Sequence, residues 1–320
     1  MRVLVTGGAG FIGSHVVDKL AAEGHEPRIF DLVASPYHPA GEVDTVTGDL
    51  GDDAAVRAAV QGCGAIMHLA AMADVNQVVG DPARTDRVNV RGTLALLEAA
   101  RAEGVGRVLY ASTVWVYGNA TGEEPLGEDT PLTLPPHFYT ATKLAGEMYC
   151  RSYEVLYGVA STILRFGIPY GPRARPAAVI PAFIAKARAG APITIAGDGS
   201  QRRQFIYVED LAEGMVASLA PIAAGRIYNL VGDESVSVRQ IADTVRELVA
   251  DVPVVHEAER PADLTIGMIS GASARADLGW QAATSFAEGV RRYVDWLDAE
   301  PGGGPATPLR PTVTSGSPAA

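Results

Sequence analysis

The chain opens on an apolar run, Arg2-Val3-Leu4-Val5-Thr6, that breaks at once into glycines. From Phe11 to about Glu23 apolar residues recur at the spacing that lines one face of a helix. The start therefore reads as strand, turn and helix. Further strand candidates fall at 27–31, 43–47, 65–69, 107–112 and 159–166, most of them separated by helical stretches such as 52–60, 83–103 and 138–158. Alternation of this kind predicts a parallel sheet covered by helices on both faces.

After Gly171-Pro172 the alternation lapses into a proline-rich stretch, a helix near 178–189 and shorter strands around 193–195, 204–208, 226–230 and 253–256. These predict a smaller α/β lobe, with the strand-helix piece 204–220 packing back onto the first domain. The expected division is thus 1–170, 171–299 and a tail over 300–320. The tail opens on Pro-Gly-Gly-Gly-Pro and continues in Ser, Thr, Pro and Ala, a composition that predicts disorder.

Composition narrows the class. Hydrophobic residues make up 48% and charged residues 20% of the 320, with 35 Gly and 21 Pro, the profile of a packed globular protein with many tight turns. The balance of 26 Lys and Arg against 37 Asp and Glu, a net charge of −11, repels a nucleic-acid backbone. The two cysteines, Cys63 and Cys150, form neither a disulfide framework nor a zinc spacing, so a reduced, cytoplasmic protein without metal is expected. No apolar run approaches the roughly 18 residues of a membrane span, and neither a signal peptide nor an anchor is predicted.

Thr6-Gly7-Gly8-Ala9-Gly10-Phe11-Ile12-Gly13 places glycines at 7, 10 and 13 between a strand and a helix. There Gly7 permits the tight turn, Gly10 lets the backbone approach a pyrophosphate, and Gly13 lets helix and strand pack closely. This is the signature of a Rossmann-type doubly wound sheet binding a dinucleotide. The second strand ends at Asp31, eighteen residues after Gly13, where a carboxylate accepts from ribose hydroxyls and repels a 2′-phosphate. NAD is therefore expected over NADP, with Arg28 the one nearby residue that points the other way. Asp49 has two readings, a contact to the adenine amino group or the N-cap of helix 52–60.

Tyr139 and Lys143 are four apart on one face of a helix that follows the strand ending Tyr110-Ala111-Ser112-Thr113. That strand end lies at the carboxyl edge of the sheet, where ligands of such folds bind. A phenol of pKa about 10 is a poor base, but a nearby ammonium and a cationic nicotinamide ring both favour the phenolate. Tyr139 is then the proton acceptor, Lys143 lowers its pKa and holds the nicotinamide ribose, and Thr113 or its neighbour Ser112 hydrogen-bonds the reacting oxygen. Trp280 and Trp296 read as core or helix-packing residues.

These motifs, with His68-Leu69-Ala70-Ala71, Asn89, Tyr117-Gly118, Tyr170-Gly171-Pro172 and Phe205-Ile206-Tyr207-Val208-x-Asp210, resemble the extended short-chain dehydrogenase/reductases. More narrowly, residues 1–297 resemble the NAD-dependent nucleotide-sugar epimerase/dehydratase family. The resemblance implies a firmly held NAD, a Thr113–Tyr139–Lys143 triad, a nucleotide-sugar substrate and a homodimer paired through the Tyr-Lys helix and the helix before it. It implies cofactor contacts at Gly7, Gly10, Phe11, Ile12, Gly13, Asp31, Asp49, Leu50, Leu69, Ala70, Ala71, Asn89, Tyr139 and Lys143. It also implies phosphate-binding arginines at Arg203 and Arg260, whose planar forks suit a diphosphate.

Departures from the family pattern refine the activity. The 4,6-dehydratases carry an Asp-Glu pair just after the triad hydroxyl, and here those positions are Val114 and Trp115, neither of which moves a proton. The missing glutamate at 115 also argues against the decarboxylating relatives that make UDP-xylose. What remains is oxidation at C4, turning of the intermediate and return of the hydride: 4-epimerisation of UDP-glucose/UDP-galactose or UDP-glucuronate/UDP-galacturonate. Arg175 matches an arginine that UDP-glucuronate 4-epimerases place near the sugar carboxylate, its other reading being a loop or phosphate-facing residue. Ile168 and Ala178 stand where asparagines commonly touch the uridine diphosphate, and Trp115 replaces a small residue. The competing readings are a nucleotide 4-keto-sugar reductase, against which Asp31 argues, and a non-catalytic NAD-binding regulator, which needs neither triad nor phosphate arginines.

Overall fold

The structure is a computed structural model that describes residues 1–120, 124–135, 137–258 and 266–299. The strands run β1 Arg2–Thr6, β2 Glu26–Asp31, β3 Asp44–Thr47, β4 Ala65–His68, β5 Arg107–Thr113, β6 Ser161–Phe166, β7 Ile168–Tyr170, β8 Ile193–Ala196, β9 Arg202–Tyr207, β10 Ile227–Leu230, β11 Ser235–Ser237 and β12 Val254–Glu257. The helices are α1 Phe11–Ala22, α2 Asp53–Val60, α3 Val75–Gly80, α4 Pro82–Asp86, α5 Gly92–Glu103, α6 Phe138–Tyr157, α7 Val179–Arg188, α8 Val208–Ala217, α9 Val238–Leu248, α10 Ala272–Leu278 and α11 Phe286–Ala299.

Seven strands form one sheet in the order β10-β6-β5-β4-β1-β2-β3, every neighbouring pair parallel. Side chains alternate across a strand, and the buried runs use both faces. Val3, Val5, Ile29 and Met67 join α1 and α8 residues such as Val16, Leu20, Leu211 and Met215 in one core. Their neighbours Leu4, Phe30 and Ile66 join Val56, Leu97 and Tyr153, from α2, α5 and α6, in the other. Trp280 lies in the first core and donates from its indole to the Asp210 carbonyl at 3.0 Å.

The second lobe is interleaved with the first. After Phe166 the chain steps through Gly167 from β6 into β7, which pairs with β9 in a small β11-β9-β7 sheet. A two-stranded β12-β8 sheet lies in the same lobe, whose core joins residues of α7, α9 and α11, with Trp296 packed against it. Within the 204–220 piece, β9 belongs to the small sheet while α8 packs on α1. The strand at 226–230, expected in the smaller lobe, is instead the edge of the large sheet, paired with β6 from Ile227↔Ile163 to Leu230↔Phe166. Tyr228 and Leu230 are fully buried there, and that burial explains its return.

The helical stretch expected over 83–103 is also subdivided. Asp81 caps α4, and a π-helical turn over Arg87–Arg91 precedes α5. Such turns add a residue to the helix and re-aim side chains; this one carries the buried Asn89. Among the described residues no helix is long and apolar enough to cross a membrane, and no His, Cys, Asp or Glu group has the arrangement of a metal site. Both cysteines are buried free thiols.

A polar network under α6 ties three parts of the large sheet together. Glu147, fully enclosed, takes a two-pronged ion pair from Arg165 of β6 at 2.7 and 3.0 Å, and the Ser112 hydroxyl of β5. Arg165 also donates to the Tyr117 hydroxyl at 3.1 Å, which donates to Asn229 of β10 at 2.8 Å. Removing one charge of a buried pair leaves the other uncompensated, a loss of about 3–5 kcal/mol. Glu147→Gln should therefore lower the unfolding free energy by that amount, seen as a lower urea midpoint with little change in slope, measured by tryptophan fluorescence.

Candidate active site

Gly7 holds φ +75°, and a β-carbon there would meet the Ala70 backbone nitrogen at 2.9 Å; at Gly13 it would lie 2.1 Å from the Gly7 carbonyl oxygen. The turn thus closes only around glycine. Gly10 occupies the N-cap of α1 and offers no side chain to its first amides, and no acidic residue stands in that first turn. The N–H groups of Phe11, Ile12 and Gly13 therefore face a cradle suited to a diphosphate. At the end of β2, Asp31 accepts from Ala9 N at 3.0 Å and Leu32 N at 2.7 Å. Burial pushes its carboxyl pKa up, opposed by these amides and that of Val33. Arg28, the counter-indication for NAD, is turned away: it pairs with Asp44 and donates to the Ala59 and Gln61 carbonyls. Asp49 accepts from Gly51 N at 2.8 Å, and the cap of α2 is Asp52, so the capping reading of Asp49 is not what the structure shows.

The loop after β4 is held by two buried side chains. His68 meets Thr6 Oγ1 through Nδ1 at 2.7 Å and Thr93 Oγ1 through Nε2 at 3.0 Å. The Thr93 hydroxyl donates to the Asn89 carbonyl, so it accepts from His68, and the ring proton sits on Nε2. Thr6 in turn accepts from Ala70 N at 3.2 Å, which fixes the Leu69-Ala70-Ala71 segment beside the glycine turn. Asn89 accepts from Met72 N and donates to Met72 O and to Thr142 Oγ1, joining this loop to α6. Leu50 is buried nearby, against Gly92.

At the carboxyl end of β5 the structure separates the two hydroxyls. Ser112 is committed to Glu147, whereas Thr113 Oγ1 accepts from Trp115 N at 3.3 Å and keeps its O–H to donate. Lys143, buried, donates from Nζ to the Ala111 carbonyl at 2.8 Å and lies 6.0 Å from the Tyr139 ring. Burial lowers its pKa to about 8, with Glu147 one turn on opposing that shift. The Tyr139 phenol is pushed up to about 12 by burial, and the charge that draws it down is Arg175. The sequence reading gives that part to Lys143 as well, whose ammonium stands 6.0 Å from the phenol ring. A buried ammonium needs an acceptor, however, and Lys143 has taken the strand carbonyl.

Arg175 sits at the mouth of the site, 2.8 Å from Asp74 in the loop after β4. Arg203 stands in the middle strand of the small sheet, in register with Val236, and donates to the Arg202 carbonyl. Arg260 lies outside the described residues. Ile168 begins β7 and Ala178 is the uncapped start of α7, so neither offers a polar side chain. Sequence reasoning missed His137, which caps α6 and packs its ring 5.2 Å from Trp115 and 6.5 Å from Tyr139. Its position just before the Tyr-Lys helix was the signal, obscured because histidine is not among the usual capping residues.

A sequence profile of the NAD dependent epimerase/dehydratase family matches residues 3–231. The UDP-glucose 4-epimerase of Mycolicibacterium smegmatis is 36% identical over 311 residues, covering 93% of this chain and 98% of that protein. The dTDP-glucose 4,6-dehydratase of Neisseria gonorrhoeae is 31% identical, over 92% of this chain and 95% of its own. The crystal structure of the Thermus thermophilus UDP-glucose 4-epimerase in complex with NAD superposes with a TM-score of 0.84 at 36% identity, covering 92% and 98% of the two chains. Fold and site together define an NAD-dependent enzyme of the extended short-chain dehydrogenase/reductase class. The chain belongs to the NAD-dependent epimerase/dehydratase family.

The buried His68 gives a pH signature. Its pKa is lowered from 6.5 to about 3, chiefly by burial. The unfolded chain then binds its proton first, so the contribution to stability is complete above about pH 6.5 and is lost as pH falls toward about 3. His68→Gln should flatten the fall in unfolding free energy by about 1.4 kcal/mol per pH unit within that window, measured by urea titrations at several pH values; parallel curves for the two proteins would refute it.

Proposed function

We propose that the chain is a nucleotide-sugar 4-epimerase acting by transient oxidation at C4 of the hexose. The observation that supports this over dehydration is the pair after the triad hydroxyl: Val114 is buried, and Trp115 packs its ring at a tilt against His137. Neither donates or accepts the proton that elimination of water requires. The cofactor would rest on the amides of Phe11, Ile12 and Gly13 with Asp31 at the adenosine ribose, and NAD bound there supplies hydride acceptance and return at C4.

The remaining chemistry belongs to the chain. Tyr139 takes the C4 hydroxyl proton as the carbon is oxidised and returns it to the same oxygen when the hydride comes back on the other face. Lys143 is protonated at neutral pH and, with Arg175, places positive charge around the phenol. That charge lowers the cost of forming the phenolate in a buried setting. Thr113 donates to the reacting oxygen, and Arg203, with Arg260, neutralises the diphosphate.

NMR of the protein with UDP-glucose, UDP-galactose, UDP-glucuronate and their dTDP and GDP counterparts should show a C4 epimer without accumulation of reduced cofactor. Tyr139→Phe should keep the fold and the bound NAD yet lose about 10²–10⁴-fold in turnover. A 4-keto-6-deoxy product would replace this reading with a dehydratase.

We also infer a homodimer through α5 and α6. Met148, Val155 and Leu156 form an outward apolar stripe on α6, with Val155 83% exposed, and Leu94 is exposed on α5. Sedimentation should show a dimer for the intact protein and a monomer for Val155→Asp. A monomeric wild type would overturn the inference.

A further inference from the structure

The sugar end of the site contains a hydrogen-bond donor that the reaction scheme above does not use. His137 accepts at Nδ1 from the Thr140 backbone N–H at 3.4 Å and meets the Thr140 hydroxyl there at 2.8 Å. A backbone N–H only donates, so Nδ1 carries no hydrogen and the ring proton must sit on Nε2. That Nε2 is shielded from solvent and has no partner among the described residues. Leaving a buried donor unpaired forfeits its hydration without return, so such a group calls for an explanation. Burial also lowers the ring pKa, which keeps the imidazole neutral.

The surroundings indicate what would satisfy it. The ring lies between Trp115, two residues beyond Thr113, and Tyr139, so it borders the space in which the reacting hexose must sit. The tilted ring contact with Trp115 and the cap on Thr140 together hold the imidazole in place. No flexible stem has to be ordered when a ligand arrives.

We propose that His137 is a substrate-positioning residue whose Nε2–H donates to an oxygen of the hexose, orienting the sugar beside Tyr139. This rests on the nucleotide-sugar reading above. It also gives Trp115 a purpose, as the platform that aims the imidazole.

Two substitutions separate this role from capping. His137→Asn keeps an acceptor for the Thr140 amide and loses the distal donor; His137→Gln keeps a distal donor and weakens the cap. By calorimetry on the NAD-loaded protein, His137→Asn should bind UDP-glucose about 10-fold more weakly, equivalent to about 1.4 kcal/mol, while UDP alone binds as in the wild type. His137→Gln should recover most of the UDP-glucose affinity despite a lower melting temperature. Unchanged UDP-glucose affinity in His137→Asn, equal losses for UDP and UDP-glucose, or no recovery in His137→Gln would each overturn the proposal, with the epimerase reading intact as long as the wild type epimerises. If the wild type neither binds nor converts any nucleotide sugar, the reading of the site falls first and this inference with it.

Discussion

A carboxylate taken out of water must be matched almost completely, and the match made for Glu147 sets the geometry of the site. Arg165 comes from β6, Ser112 from β5, and Glu147 itself from the middle of α6. Because both prongs of the ion pair must be made, α6 has little freedom to slide or roll on the sheet. One turn before Glu147, Lys143 is thereby placed at the Ala111 carbonyl. One turn earlier again, Tyr139 is placed at the end of β5. Gly146 lets the helix come this close, since a β-carbon there would strike the Tyr110 hydroxyl. The spacing of the candidate active site thus rests on an ion pair that has no part in the proposed chemistry.

The two ends of the site are built from different materials. At the cofactor end the groups that face the ligand are largely backbone amides, shaped by glycines whose conformations follow from local sterics. His68 and Asn89 support them from behind, each with its hydrogen-bonding atoms committed to neighbouring loops. At the proposed sugar end the groups are side chains from separate parts of the chain: Thr113 at the end of β5 and Trp115 just after it, His137 and Tyr139 at the start of α6, and Arg175 after β7. Arg175 meets Asp74 across the mouth, so the loop after β4 reaches the sugar end as well.

This difference explains how much could be read in advance. The Gly7-Gly10-Gly13 turn, Asp31 and the Tyr139-Lys143 spacing are each contained within a few residues, and local chemistry fixes them. The choice between Ser112 and Thr113 was open because strand alternation turns the two hydroxyls apart without saying which faces α6. Only the presence of Glu147 on the packed helix assigned Ser112 to the ion pair. In the same way the cap of α2 fell to Asp52 rather than Asp49, a shift of three residues that composition does not resolve. The orphaned donor on His137 has no sequence signature at all, because it is defined by what the fold leaves beside it.

The order of apolar runs and helical stretches by itself determined a parallel α/β sheet with a dinucleotide turn at its first crossover, since periodicity and glycine sterics act over short range. Tertiary structure decided that Ile227–Leu230 leaves the smaller lobe to complete the large sheet, and that the ammonium of Lys143 turns to a strand carbonyl while Arg175 draws the phenol's pKa down. Both outcomes follow from burial: an apolar strand goes where its two faces are covered, and a buried charge goes where an acceptor is within reach. Neither partner is visible until distant parts of the chain have met.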